Sequence, residues 1–93
     1  MSAARLKAFA PGALIPSAGA YAGHTLRETT GTAPAVIRLW DNASAASGTL
    51  IATIALPTST SSTVSIHGDG VWFASGMYAE IVTGACEGSV FVG

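Results

Sequence analysis

Ser65, His67 and Asp69 are of the residue types that serve as nucleophile, general base and orienting carboxylate in a serine hydrolase. They occupy alternate positions of one short segment, whereas the members of such a triad must converge from different directions. The chain also lacks the Gly-x-Ser-x-Gly sequence that presents a nucleophilic serine on a sharp turn. We therefore interpret Asp69 and Gly70 as a hairpin turn with His67 at its rim, because an Asp-Gly pair tolerates positive φ.

The side chains able to bind a metal ion are scattered along the chain. No two of them have the spacing that puts ligands side by side on one helix or in one loop. His67 and Asp69 would take part in a site only if His24 came to meet them. Phosphate-binding and dinucleotide-binding glycine motifs are also absent. The sequence therefore predicts no metal site and no cofactor, although it contains these potential donors: His24, Asp41, His67, Asp69, Glu80, Cys86 and Glu87.

Glu80 and the two tryptophans are the remaining candidates for a binding or catalytic role. A glycosidase needs two facing carboxylates, and the chain offers no obvious partner for Glu80 as a general acid. We expect Glu80 to form a cross-strand pair with Arg38 or Arg27. Trp40 and Trp72 could stack on sugar rings if they were exposed on a sheet face, but large aromatic residues in a small domain more often fill the core or an interface. The second interpretation is favoured.

Composition limits the classes of protein to which the chain can belong. Of its 93 residues, 49% are apolar and 10% are charged, with a formal charge of −1. A chain of this length forms one core, so we expect one domain and exclude a multidomain enzyme. No basic block is available for a nucleic acid, and no apolar run reaches the ~18 residues that span a bilayer. Cys86 is the single cysteine, which excludes an internal disulfide.

The low charge is informative because soluble domains typically carry about 25% charged residues. Ten serines and ten threonines could supply the polar surface through their hydroxyl groups. Alternatively, other protein subunits cover much of the surface, where charged groups are depleted because their desolvation is costly. Composition alone leaves both explanations open.

The spacing of turn residues predicts an all-β domain over residues 20–93, a single small antiparallel β-sandwich or barrel. Residues 1–19 are predicted to form a flexible, extended N-terminal arm. In the strand at 35–40, which Pro34 can open, Ile37 and Leu39 share one face. In the strand at 49–56, Leu50 and Ile54 are expected in the core, and Val64 should also point inward. About seven short strands are expected, at 20–29, 35–40, 49–56, 63–67, 71–74, 77–83 and 89–92.

Several segments resemble small proteins encoded among the virion genes of tailed bacteriophages. They are PAVIRLWD at 34–41, GTLIATI at 48–54, GV at 70–71, GMYAEIVTG at 76–84 and EGSVFVG at 87–93. In those phage proteins a strand of the type Arg-hydrophobic-aromatic-Asp precedes a Gly-x-Leu-Ile-Ala segment and an ending that contains Gly-Ser-Val. The resemblance extends from the first strand of the domain to residue 93, and its motifs are structural rather than catalytic.

The resemblance implies a non-enzymatic structural protein of the phage particle, made in the host cytoplasm and located on the capsid surface. It implies a decoration or cement protein that binds the major capsid protein where subunits meet, often as a trimer, and braces the shell. A tail, neck or fibre-associated β-domain, including a carbohydrate- or receptor-binding module, is the alternative. A small hydrolase is a third, which requires His67 to approach a hydroxyl or carboxylate from another strand.

The expected contacts with a partner follow from the arm and from the two tryptophans. The arm is expected to be disordered in the free chain and to become ordered on the shell. Its cations would suit an acidic capsid surface, and its apolar side chains would become buried. An open sandwich edge is the second expected contact, because it can extend a neighbour's sheet. The candidate contact residues are Arg5, Leu6, Lys7, Phe9, Leu14, Ile15, Trp40 and Trp72.

Overall fold

The computed structural model describes residues 5–66, 68 and 70–93, and within them the chain forms nine strands and no helix. The predicted all-β antiparallel sandwich is confirmed. No helix long and apolar enough to cross a bilayer occurs in these ranges. The strands are β1 (Arg5–Ala8), β2 (Gly12–Ile15), β3 (Gly19–Glu28), β4 (Ala35–Asp41), β5 (Thr49–Leu56), β6 (Ser61–Ser65), β7 (Val71–Phe73), β8 (Met77–Thr83) and β9 (Cys86–Val92).

The strands form two antiparallel sheets. The five-stranded sheet has the order β1-β9-β3-β6, and β7 pairs with β3 beyond the end of β6. The four-stranded sheet has the order β2-β8-β4-β5. Because consecutive strands often lie in different sheets, most contacts join residues far apart in the chain. The edges of the sandwich are therefore β1 and β6 with β7 in one sheet, and β2 and β5 in the other.

The core lies between the two sheets, where alternate residues of each strand point inward. Ile37 and Leu39 are fully buried, as their shared face predicts, and β4 begins directly after Pro34. Ile54 is buried as well, which confirms that prediction. The core consists of Leu14, Tyr21, Leu26, Ala35, Ile37, Leu39, Ile54, Leu56, Phe73, Met77, Ala79 and Val90.

The prediction of a free N-terminal arm over residues 1–19 is wrong for the part that forms β1 and β2. β1 pairs with β9, and β2 pairs with β8, so this segment adds one edge strand to each sheet. Pro11 separates the two strands, and Gly12 adopts a φ of 108° as the chain crosses from one sheet to the other. Gly12–Ile15 contributes a buried core side chain, which explains why the segment does not remain extended in solvent.

Leu50 is the second departure from the predicted pattern, because 44% of its surface is exposed. The register places Leu39 opposite Ala52 but Trp40 opposite Leu50, which leaves Ile51 as an extra residue in β5. Such a bulge reverses the side-chain alternation on one side of it. Leu50 therefore points away from the core although Ile54 points into it. Val64, also expected inward, lies on the edge strand β6 and is 40% exposed.

β6 and β7 do not pair with each other as the two strands of a hairpin. β6 and β7 both run antiparallel to β3 and lie end to end along it, so the chain keeps its direction. The Ile66 N–H donates to the Ala22 carbonyl, and pairing resumes where Val71 lies opposite Tyr21. The predicted roles of His67 and Asp69 lie outside the described residues.

Candidate functional site

The candidate contact residues of the N-terminal segment divide into two groups. Leu14 is buried in the core, and Phe9 and Ile15 pack against it. Leu14 therefore stabilises the sandwich and is not accessible to a partner, whereas Phe9 and Ile15 remain partly exposed. Arg5, Leu6 and Lys7 on β1 are exposed. The candidate contact surface at this end of the molecule is therefore β1.

β1 lies beside a groove of about 300 Å³ that is lined by Arg5, Leu6 and Lys7 on one side and by Ile15 and residues 17–19 on another. Among the described residues, no side chain forms an ion pair or hydrogen bond with Arg5 or Lys7. Arg27, by contrast, forms an ion pair with Glu87 in which the N···O distance is 2.7 Å. β1 therefore presents two positive charges to solvent.

Trp72 is 70% exposed and Leu6 is 72% exposed. Trp72 alternates with the fully buried Phe73, so its indole lies on the outer face of the five-stranded sheet. Leu6 lies opposite Phe91 in the β1–β9 register, and Phe91 alternates with the buried Val90, so both lie on the same outer face. We call Leu6, Trp72 and Phe91 the outer apolar face. The core alternative for Trp72 is wrong.

Trp40 lies half-buried on the outer face of the other sheet. Its indole Nε1 donates a hydrogen bond of 3.1 Å to Glu80 Oε1 on the neighbouring strand. Arg38 lies opposite Glu80 in the register, as one of the expected pairs requires, but the polar contact of Glu80 is with Trp40. Arg27, the other expected partner, pairs with Glu87 instead.

A chain of hydrogen bonds that the sequence analysis missed joins Tyr21, His24 and Ser62. The Tyr21 hydroxyl lies 2.6 Å from His24 Nδ1, and His24 Nε2 lies 3.0 Å from Ser62 Oγ. Tyr21 and His24 are buried, and burial raises the pKa of Tyr21 to about 12 and lowers the pKa of His24. A bulge in β3 between Tyr21 and Gly23 places both side chains on the inner face despite their spacing of three.

The direction of these hydrogen bonds decides whether Ser62 could act as a nucleophile. The buried Tyr21 hydroxyl has Nδ1 as its hydrogen-bond partner, so it donates to Nδ1. A neutral imidazole that accepts at Nδ1 carries its proton on Nε2, which then donates to Ser62 Oγ. In this tautomer Nε2 has no lone pair to receive the Ser62 proton. In this arrangement the three side chains satisfy one another's hydrogen bonds within the sandwich.

Glu28 is a second polar group that the sequence did not single out. It is only 5% exposed, at the end of β3, and its carboxylate accepts hydrogen bonds from the backbone N–H groups of Thr30, Gly31 and Ser59 and from the Thr30 hydroxyl. The Thr30 hydroxyl and the Ser59 N–H are the main reasons why the pKa of Glu28 falls to about 2. The carboxylate thus joins the loop after β3 to the turn before β6.

Glu28→Gln is expected to weaken the dependence of stability on acid pH. The pKa of Glu28 is about 2 in the folded chain and ordinarily 4.5, so between these values the unfolded chain binds more protons at this group. The free energy of unfolding therefore rises with pH across this window. Its slope is proportional to the difference in bound protons between the unfolded and folded chain, to which Glu28 contributes up to about one proton. Urea unfolding followed by circular dichroism from pH 2 to 7 measures the slope.

Glu87→Gln is the matched control for Glu28→Gln, since it removes an exposed carboxylate that is paired with Arg27. Because solvent screens this exposed pair, the change in slope caused by Glu28→Gln should exceed the change caused by Glu87→Gln. Equal slopes for the Glu28→Gln variant and the unchanged chain would show that the Glu28 carboxylate does not hold the two loops together.

Asp41 has a similar role at the end of β4. Its carboxylate accepts hydrogen bonds from the Ala74 N–H at 3.0 Å and the Ser75 N–H at 2.8 Å, which lower its pKa. It thereby holds the turn between β7 and β8. Within residues 5–66, 68 and 70–93, no three histidine, cysteine or acidic side chains come together as a metal site.

The polar clusters described above therefore join strands and loops of the sandwich. β1 and the outer apolar face, by contrast, expose charged and apolar side chains to solvent. Comparison of the chain with family models, curated proteins and solved structures finds no match.

Proposed function

We propose that the chain is a non-enzymatic structural protein of a tailed bacteriophage virion, which decorates the capsid exterior and stabilises the shell where capsid subunits meet. Its partner is the major capsid protein, and it acts as a homo-oligomer on the particle. The sequence segments that resemble phage virion proteins are the basis of the phage assignment. The structural observation that supports a binding role is the exposure of Leu6 and Trp72 on one face of the five-stranded sheet. The exposed cations of β1 alternate with Leu6 and lie on the other face of the same edge strand.

The outer apolar face has the chemical character of a docking surface. Interface cores are enriched in aromatic residues and depleted of charge, and a few buried aromatic anchors supply much of the binding energy. Trp72 offers the largest exposed apolar side chain for this role. Arg5 and Lys7 lie at the edge of the same sheet, where they favour an acidic surface on the partner.

Quantitative mass spectrometry of purified particles tests this proposal by counting copies of the chain per copy of the major capsid protein. A ratio near one, or a simple fraction of it amounting to hundreds of copies, is expected of a protein that covers the shell. A count of a few to a few dozen would favour the neck or tail. Absence from the particle would contradict a structural role in the virion.

Binding of the purified chain to particles that lack it tests whether the outer apolar face makes the contact. Trp72→Ala is expected to weaken binding at least about 10-fold, as loss of an interface anchor does. Val82→Ala is the matched control, because Val82 is exposed on the four-stranded sheet, away from the outer apolar face. Equal loss of binding by both variants, or no loss by either, would contradict the assignment of the contact to this face.

The alternative function is a tail, neck or fibre-associated domain that binds carbohydrate. The 70% exposure of Trp72 favours it, because an exposed indole can stack on a sugar ring. A low copy number together with Trp72-dependent binding to host surface glycans would support this alternative over capsid decoration.

A further inference from the structure

We propose that a second copy of this chain pairs with β5, so that the two four-stranded sheets join edge to edge across a twofold axis. β5 lies at the end of its sheet and pairs with β4 alone. An antiparallel edge strand leaves the N–H and C=O groups of alternate residues without a strand partner. These groups are the donors and acceptors that a second strand would satisfy.

β5 differs from the other edge strands in length and in side chains. It has eight residues, Thr49–Leu56, and contains no charged residue and no proline. Natural proteins protect edge strands from pairing by making them short, charged or interrupted by proline. β5 has one such feature, the bulge at Ile51, and the five residues after the bulge continue as a regular strand.

β1 and β2 carry protection against self-pairing. β1 has four residues, of which Arg5 and Lys7 are positively charged, so two copies would bring like charges together. β2 also has four residues and lies between Pro11 and Pro16. β7 has three residues, and β6 has five with neither charge nor proline. β5 is therefore the longest edge strand without charge or proline.

The regular part of β5 is compatible with pairing to itself. A twofold axis at Ile54 places Thr53 opposite Ala55 of the partner subunit and Ala52 opposite Leu56 of the partner subunit. Every pair then joins residues on the same face of the sheet, which antiparallel pairing requires. Thr53 and Ala55, which point outward, are exposed and small, so neither blocks the approach of the second strand.

The absence of charge on β5 and its self-compatible register favour a copy of the chain as the occupant. Two β5 strands meet with no like charges to repel them, and β5 offers no charge that would select an acidic or basic partner strand. Pairing of the same edge on both copies is isologous and closes at two subunits. The proposal concerns the purified chain and does not depend on a role in the virion.

Sedimentation equilibrium of the purified chain over a range of concentrations tests the dimer. The unchanged chain is expected to form a concentration-dependent dimer, and Thr53→Lys is expected to weaken it at least about 10-fold because two lysines would lie near the twofold axis. Thr63→Lys is the matched control, since Thr63 is an exposed threonine at the centre of β6, an edge strand of the five-stranded sheet. It should leave the dimer unchanged.

Amide hydrogen exchange at low and high concentration gives a second measurement that does not depend on a variant. Amides in Ala52–Leu56 should become protected as the dimer forms, whereas those of β6 should not. A chain that is monomeric at every concentration, a closed trimer, or a dimer lost on Thr63→Lys but kept on Thr53→Lys would overturn the proposal.

Discussion

Phe73→Ala is expected to lower the free energy of unfolding by about 3–5 kcal/mol, the range observed when a large aromatic side chain is removed from a packed core. Phe73 is fully buried and is one of the largest side chains of the core. Its ring also packs close to Gly19 on the neighbouring strand, so truncation leaves a cavity rather than a site that can collapse. A domain of this size typically has about 5–15 kcal/mol of stability in total.

Trp72→Ala is the control for Phe73→Ala, because it removes an even larger aromatic side chain from the adjacent position of β7. Trp72 is 70% exposed, so its loss should change the free energy of unfolding by less than about 0.5 kcal/mol. Urea unfolding followed by far-ultraviolet circular dichroism measures both variants without relying on tryptophan fluorescence. Equal destabilisation by the two substitutions would contradict the assignment of opposite faces in β7.

Gly23→Ala is expected to destabilise the chain by at least about 3 kcal/mol, because two separate penalties act at this position. The φ of Gly23 is 136°, a conformation that side-chain-bearing residues rarely adopt. An added Cβ would also lie 2.0 Å from the carbonyl oxygen of Val64 on β6. Relief of this contact requires β6 to move away from β3, which breaks the pairing of the two strands.

Gly12→Ala separates the conformational penalty of Gly23→Ala from the penalty of the close contact with Val64. Gly12 has a φ of 108°, but a Cβ at this position meets no atom within 4 Å. The expected cost is therefore the conformational one, about 1–2 kcal/mol. Urea unfolding should show that the Gly23→Ala variant is much less stable than the Gly12→Ala variant. Amide exchange in β6 should also be faster in the Gly23→Ala variant. Equal stabilities would show that the close approach of Val64 adds nothing.

The parts of the fold that depend on residues close together in the sequence agree with the predictions from the sequence. Alternation along β4 predicts that Ile37 and Leu39 share one face, and both are buried. Pro34 marks the start of the same strand because it need not donate to the sheet. These signals are local, since side-chain period and proline geometry act within a few residues.

The errors arise where distant strands decide the outcome. Leu50 leaves the core because the pairing of β5 with β4 includes an extra residue, and the sequence of β5 alone carries no sign of it. Asp69 and Gly70 are typical of a hairpin, yet β6 and β7 lie end to end along β3. The N-terminal strands form because β8 and β9 offer them edges to pair with.

The candidate surfaces were predicted in part. The sequence singles out Arg5, Leu6 and Lys7, and the structure places them on an exposed edge strand. The sequence also singles out Leu14, which is buried in the core. No sequence signal distinguishes these cases, because the difference depends on which face of its sheet each side chain occupies.

By itself, then, the sequence determined the all-β class and the low charge, because strand alternation, turn residues and composition follow from local chemistry. Only the tertiary structure decided that Trp72 is exposed while Phe73 is buried, that His24 is held by Tyr21 and Ser62, and that β5 is an open edge. Each of these depends on contacts between residues that lie far apart in the chain and meet only when the two sheets pack together.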